Sequence, residues 1–161
     1  MEQIDIDGTD IKLLNALQSD ASLSNQALAA TTHISAPTCL RRVKRLRDMG
    51  LIERQVALLS PDKLASIIGY GLTAIVEITL DHQGEERLSV FEKRIAANAA
   101  VQQCYRTTPG PDFVLIVYVA DMPTYLALSK QLFTSDANVR NVKAFFSVKR
   151  SKFEPKVLMA Q

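Results

Sequence analysis

The sequence predicts an α+β chain: an N-terminal helix-turn-helix domain of winged type, followed by a ferredoxin-like βαββαβ domain. Three observations carry that expectation. Up to about residue 60, apolar residues recur at helical spacing behind short polar caps. From Leu72 the period changes to two. The elements of the second half then fall in the order β-α-β-β-α-β, the split arrangement in which helices cover one face of an antiparallel sheet. The expected boundaries are 1–60 for the first domain, 61–71 for a linker and 72–161 for the second domain, with the helix-turn-helix unit at about 25–44.

Each element has a local cause. Asp7-Gly8-Thr9 offers a turn and a cap, after which Ile11, Leu14 and Leu17 form a stripe that ends near Ser19-Asp20. Ser24 caps a second helix from Asn25 to about Thr31, with Leu23 and Leu28 placed as a hydrophobic staple. Thr31-Thr32-His33 is the turn. Ser35 caps the third helix, where Pro37 sits in the first turn at little cost. Leu40, Val43 and Leu46 form its expected buried stripe, and Gly50 ends it. Leu51 to Leu58 reads as an extended segment, the short β extension of a winged unit.

In the second half, Leu64 to Ile68 is a short apolar helix-like piece within the linker. Leu72, Ala74, Val76, Ile78 and Leu80 share one face of a strand. Leu88, Phe91 and Ile95 mark a helix ending near Asn98, and Val101 to Thr107 is a second strand. A third strand runs from Asp112 to Ala120. Asp121 caps a helix with Tyr125, Leu128 and Leu132 on one face, and Val142 to Arg150 is the fourth strand. The third strand is apolar on both sides: Phe113, Leu115, Val117 and Val119 point one way, Val114, Ile116 and Tyr118 the other. Helices can cover only one of those faces, so the other is expected to be buried by a second subunit.

Composition narrows the function classes. A 161-residue chain with 47% hydrophobic and 22% charged residues is globular rather than disordered. The net charge of +2 is small, but its distribution is uneven. Residues 1–20 carry Glu2, Asp5, Asp7, Asp10 and Asp20 against Lys12, whereas 41–54 carry six basic residues against Asp48 and Glu53. Such a local concentration is the footprint of a nucleic-acid site. No apolar run is long enough to span a membrane, and the acidic N-terminus lacks an apolar signal region, so a cytoplasmic protein is expected. Cys39 and Cys104 form neither metal-ligand spacing nor a disulfide framework; Cys39 is expected to pack beside Ile34 and Cys104 to be inert. His33 and His82 stand apart in turns. No metal site, cofactor or catalytic residue is expected.

The third helix concentrates the candidates. Opposite its apolar stripe lie Thr38, Arg41 and Arg45, flanked by Pro37 and Arg42. A one-signed helix face calls for a polyanion, and the helix-turn-helix frame makes double-stranded DNA the expected partner. Arg41 and Arg45 suit guanine edges or phosphates; Lys44 and Arg47, nearer the flank, suit phosphate. Asn25 and Ser35 lie at helix starts, where phosphate contact and plain capping are both open.

These residues also carry a resemblance. Ile6-Asp7-Gly8-Thr9-Asp10-Ile11-Lys12-Leu13-Leu14, Leu23-Ser24-Asn25-Gln26-Ala27-Leu28-Ala29, Cys39-Leu40-Arg41-Arg42-Val43-Lys44-Arg45-Leu46 and Gly50-Leu51-Ile52, in this order and spacing, resemble the Lrp/AsnC family of bacterial and archaeal regulators. The chain departs from the family at Ser35-Ala36-Pro37, where proline usually follows the serine directly. The resemblance implies a sequence-specific transcriptional regulator that assembles as a homodimer and further to a tetramer or octamer. It also implies a second domain that binds an amino-acid effector and controls genes of amino-acid metabolism or transport. In the family a threonine-glycine-x-x-aspartate loop between the second and third strands binds the effector; Thr108, Gly110 and Asp112 are the matching residues here, with Pro109 where glycine is expected. The implied location is the nucleoid. The alternative reading is an architectural, nucleoid-associated protein with little effector response.

Overall fold

The computed structural model describes residues 5–159; Glu2 and the outer ends of both expected domains lie outside them. The chain divides into two compact units. One runs to Leu58 and takes back the chain from Lys152 onward; the other spans Leu59–Ser151.

Three helices build the first unit: α1 (Gly8–Ser19), α2 (Asn25–Thr32) and α3 (Ala36–Asp48). The expected caps are all made. The Asp7 carboxylate accepts the Thr9 and Asp10 N–H groups at 2.9 Å each, while the Asp10 carboxylate accepts the Asp7 N–H at 3.2 Å, a reciprocal capping box. Ser24 and Ser35 accept the N–H groups of Ala27 and Thr38. At the end of α3, the Gly50 N–H donates to the Arg47 carbonyl and the Leu51 N–H to the Leu46 carbonyl, with Gly50 at φ 73°. That is the Schellman closure, which needs a left-handed residue and so favours glycine. His33, at φ 57°, closes α2 in the same conformation without being glycine.

The core of this unit is Leu13, Leu14, Leu28, Ala29, Cys39, Val43 and Leu46. Two expected stripes are therefore rotated. In α3 Cys39 takes the inward place expected for Leu40, which is 62% exposed. The spacing 39, 43, 46 keeps one face, and Leu40 lies about 100° round from Cys39. In α1 the buried positions are Asp10, Leu13 and Leu14, with Ile11 only partly covered. The segment 51–60 bends at Leu51 and Ile52 and enters no ladder: among the described residues no strand lies beside it, so the expected β extension does not form.

The second unit is the expected βαββαβ arrangement preceded by a helix. The apolar linker piece belongs to α4 (Pro61–Ile68), capped by Ser60. Then follow β1 (Leu72–Leu80), α5 (Glu85–Ala96), β2 (Val101–Arg106) and β3 (Phe113–Val119). The chain ends this unit with α6 (Met122–Ser129), which runs into a π-helical turn (Lys130–Thr134), and β4 (Val139–Phe146). The strands are antiparallel in the order β2-β3-β1-β4. The fourth strand starts and stops earlier than expected because its ladder can last only as long as β1: Leu80 pairs with Val139 and Ala74 with Phe146.

One sheet face, with Ala74, Val76, Ile78, Leu80, Phe113, Leu115 and Val117 fully buried, packs on Phe91, Ile95, Tyr125, Leu128, Leu132 and Phe133. Among the described residues no helix packs on the other face. Its cross-strand neighbours include Ile75 with Ile116 and Phe145, Tyr105 with Val114, and Thr73 with Tyr118. The Tyr118 ring lies across Gly71, where even a Cβ would come within 2.0 Å of its hydroxyl oxygen.

Candidate nucleic-acid interface and effector loop

The electrostatic centre of the first unit is an acid. Asp10 sits on the buried face of α1 beside Leu13 and Leu14 and is fully buried. An isolated buried carboxylate is costly, and it must find cationic or hydrogen-bonding partners. Arg42 Nη1 donates to Asp10 Oδ1 at 2.9 Å and to Asp7 Oδ2 at 2.8 Å, and Arg45 Nη2 donates to Asp10 Oδ2. With the Asp7 N–H also on Oδ2, both oxygens of Asp10 are satisfied. The hydrogen bond from the Asp10 N–H, then that from Arg42, hold the Asp7 carboxyl below the usual carboxylate range.

Arg42 and Arg45 thus do not project freely like a solvated face. They are pinned against α1. Arg41 and Lys44 are exposed, and with Pro37 they form the outward surface of α3. Thr38 is half-buried and joined to the cap, since the Ser35 hydroxyl donates to Thr38 Oγ1 at 2.8 Å. Asn25 Nδ2 donates to the Ala36 carbonyl at 2.8 Å, tying the start of α2 to the start of α3. Arg47 reaches Gln55 Oε1 at 2.9 Å, securing the extended segment after α3. Cys39 is buried, which pushes its thiol pKa up and keeps it protonated.

The residue that sequence reading missed is Asp10. Along the chain it stands in an acidic N-terminal stretch and in a segment shared with the resembling family, with no role of its own. The available signal was its position three and four residues before Leu13 and Leu14, which puts a charge on the core face of a helix.

The second candidate loop joins β2 to β3. The Thr107 N–H donates to the Asp112 carbonyl at 3.0 Å, closing a turn whose tip, Thr108, Pro109 and Gly110, is exposed. Asp112 turns away from that tip. Its Oδ2 accepts the Leu80 N–H at 2.7 Å and Gln83 Nε2 at 3.3 Å, so the carboxylate anchors the end of β1. Thr108, Gly110 and Asp112 share one turn, but Asp112 carries a structural bond that the sequence did not reveal. Among the described residues no group of three or more His, Cys, Asp or Glu side chains is placed to hold a metal, and no helix is long and apolar enough to cross a membrane.

Comparison with known proteins adds to this geometry. The winged helix-turn-helix DNA-binding family model matches residues 6–53, and the Lrp/AsnC ligand binding domain model matches residues 73–157. The DNA-binding transcriptional activator DecR of Escherichia coli is 36% identical over 148 residues, covering 92% of this chain and 95% of DecR. Among solved structures, an AsnC family transcriptional regulator from Agrobacterium tumefaciens has a TM-score of 0.83 at 29% identity, covering 95% of this chain and 97% of that one. A transcriptional regulator from Neisseria meningitidis, solved as an L-Met complex, has a TM-score of 0.79 at 28% identity and covers 96% and 97%.

Proposed function

The chain belongs to the Lrp/AsnC family of DNA-binding transcriptional regulators, which are not enzymes, and from that premise we propose how its parts divide the work. α3 is the recognition helix. It enters the major groove with Arg41 and Lys44 outward, reading one half-site per subunit. The observation that carries this reading is the outward surface of Pro37, Arg41 and Lys44 on a helix whose opposite side is locked into the core by Cys39, Val43 and Leu46.

The second unit assembles the oligomer and takes a small effector. The bare sheet face with Ile75, Val114, Ile116, Tyr118 and Phe145 is the dimer surface, and further pairing gives the tetramer or octamer. A two-fold dimer then reads a pseudo-palindrome with half-sites about one helical turn apart. The effector is an amino acid or a near relative; the match to a ligand binding domain and the L-Met complex of the Neisseria protein support that class. The exposed tip at Thr108 and Gly110 contacts it, and Asp112 holds the loop in place. Working on DNA, the protein resides at the nucleoid in the cytoplasm.

The test is a duplex selected by the protein from a randomised pool, titrated with and without each of the twenty amino acids. A selected duplex bound far more tightly than random DNA, with an affinity that at least one amino acid changes, is the expected result. Equal affinity for selected and random duplexes in every case would leave an architectural protein instead.

A further inference from the structure

We infer that the notch bounded by Asp7, Arg41, Arg42 and Arg45 seats one backbone phosphate of duplex DNA, and that buried Asp10 is the positioning residue that aims Arg42 and Arg45 at it. The inference rests on α3 being the recognition helix and gives its arginines separate tasks.

The notch has a volume of about 220 Å³ and is lined by these four residues. Asp10, fully buried, does not line it but holds two of the arginines that do, with one oxygen on Arg42 and the other on Arg45. A guanidinium has five N–H donors in a fixed plane. The carboxylates engage Nη1 of Arg42 and Nη2 of Arg45. The side chains of these arginines keep 27% and 48% of their exposure, so the remaining donors are reachable. Pinning one corner of a planar group fixes where the others point. Binding then costs less side-chain entropy than it does for a free surface arginine.

Charge agrees with the assignment. Three guanidiniums set against the carboxylates of Asp7 and Asp10 leave one net positive charge, the complement of a phosphodiester monoanion. The Asp7 carboxylate lines the notch and is 53% exposed, but its oxygens are engaged by the Thr9 and Asp10 N–H groups and by Arg42. Arg41 makes no such inward pair in the same notch and is left for base edges or the neighbouring phosphate.

Removing Asp10 sets two effects against each other. Asp10→Asn raises the net charge by one, which alone tightens binding to any DNA. It also unpins Arg42 and Arg45, which weakens binding only where a defined phosphate must be met. Fluorescence anisotropy on the selected duplex and on a random duplex separates them. Asp10→Asn is expected to lose about tenfold on the selected duplex, the worth of one charged hydrogen bond. On random DNA it should bind at least as tightly as the wild type. Equal or tighter binding to both overturns the inference, because Asp10 would then merely mask the arginines.

A second measurement needs no altered fold. In wild-type protein, neutral methylphosphonates placed one at a time along the selected duplex should reveal one phosphate per half-site whose loss costs far more than its neighbours. Arg42→Gln should flatten that peak. A uniform profile overturns the phosphate seat while leaving the recognition helix standing. Failure of the wild type to bind any duplex overturns both.

Discussion

Gln18 and Val157, 139 positions apart, exchange two hydrogen bonds: Gln18 Nε2 donates to the Val157 carbonyl at 3.2 Å and the Val157 N–H donates to Gln18 Oε1 at 2.6 Å. The side-chain amide of α1 pairs with the backbone as a neighbouring strand would. Nearby Met159 packs on the core of the first unit, so the C-terminal segment is part of the helical body. Gln18→Ala should release it. Hydrogen exchange at the Val157 amide should accelerate at a stability cost of about 1 kcal/mol. Unchanged protection at Val157 would show that side-chain packing alone holds the segment.

Arg41 and Arg45 should separate in their effects. Arg41→Ala is expected to weaken operator binding by about 1–3 kcal/mol with little change in melting temperature. Arg45→Ala should do both, because it removes one partner of buried Asp10 and leaves an under-satisfied carboxylate, at about 1–3 kcal/mol of stability. Calorimetric melting beside anisotropy titrations checks this. Two variants with identical melting temperatures would contradict the pairing at Asp10.

The bare sheet face gives a third expectation. Ile116→Asp puts a carboxylate at the centre of a surface proposed to be dry, at a cost of several kcal/mol in the assembly. Light scattering should then report smaller species. Gly71→Ala probes the same face more gently, since its new Cβ collides with the Tyr118 ring and must displace it. Wild-type mass in both variants would place the subunit contact elsewhere.

Acid provides the fourth. The Asp7 carboxyl is held low first by the Asp10 N–H and then by Arg42. A depressed carboxyl contributes stability that is fully present above its unfolded value, about 4, and is lost as pH falls through the lower folded value. Asp7→Asn keeps a capping oxygen but drops the charge. The variant should be less stable than wild type at neutral pH, and the gap should close below about pH 4. A gap independent of pH, measured by denaturant unfolding, would mean that the charge of Asp7 contributes nothing.

Much of this protein was legible along the chain. Helix starts at Asp7, Ser24, Ser35 and Asp121 depend on bonds spanning two or three residues, and the glycine stop at Gly50 is equally local. Such bonds are written in the sequence itself. The period-two run of β1 put Leu72, Ala74, Val76, Ile78 and Leu80 on one face, whereas β3, apolar on both sides, left its choice of inner face to the pairing with β1. Tertiary structure decided the rest. Whether Leu40 or Cys39 faced inward depended on how α3 rolls against α1 and α2, a rotation that spacing leaves free. The length of β4 was set by β1, its partner. Asp10 looked like one more surface acid until α1 met α3. A buried carboxylate then tied Arg42 and Arg45 to α1 by one edge, while Arg41 and Lys44 stayed exposed without such a tie. Charge counts along a chain record how many cations there are; packing determines which of them stay available.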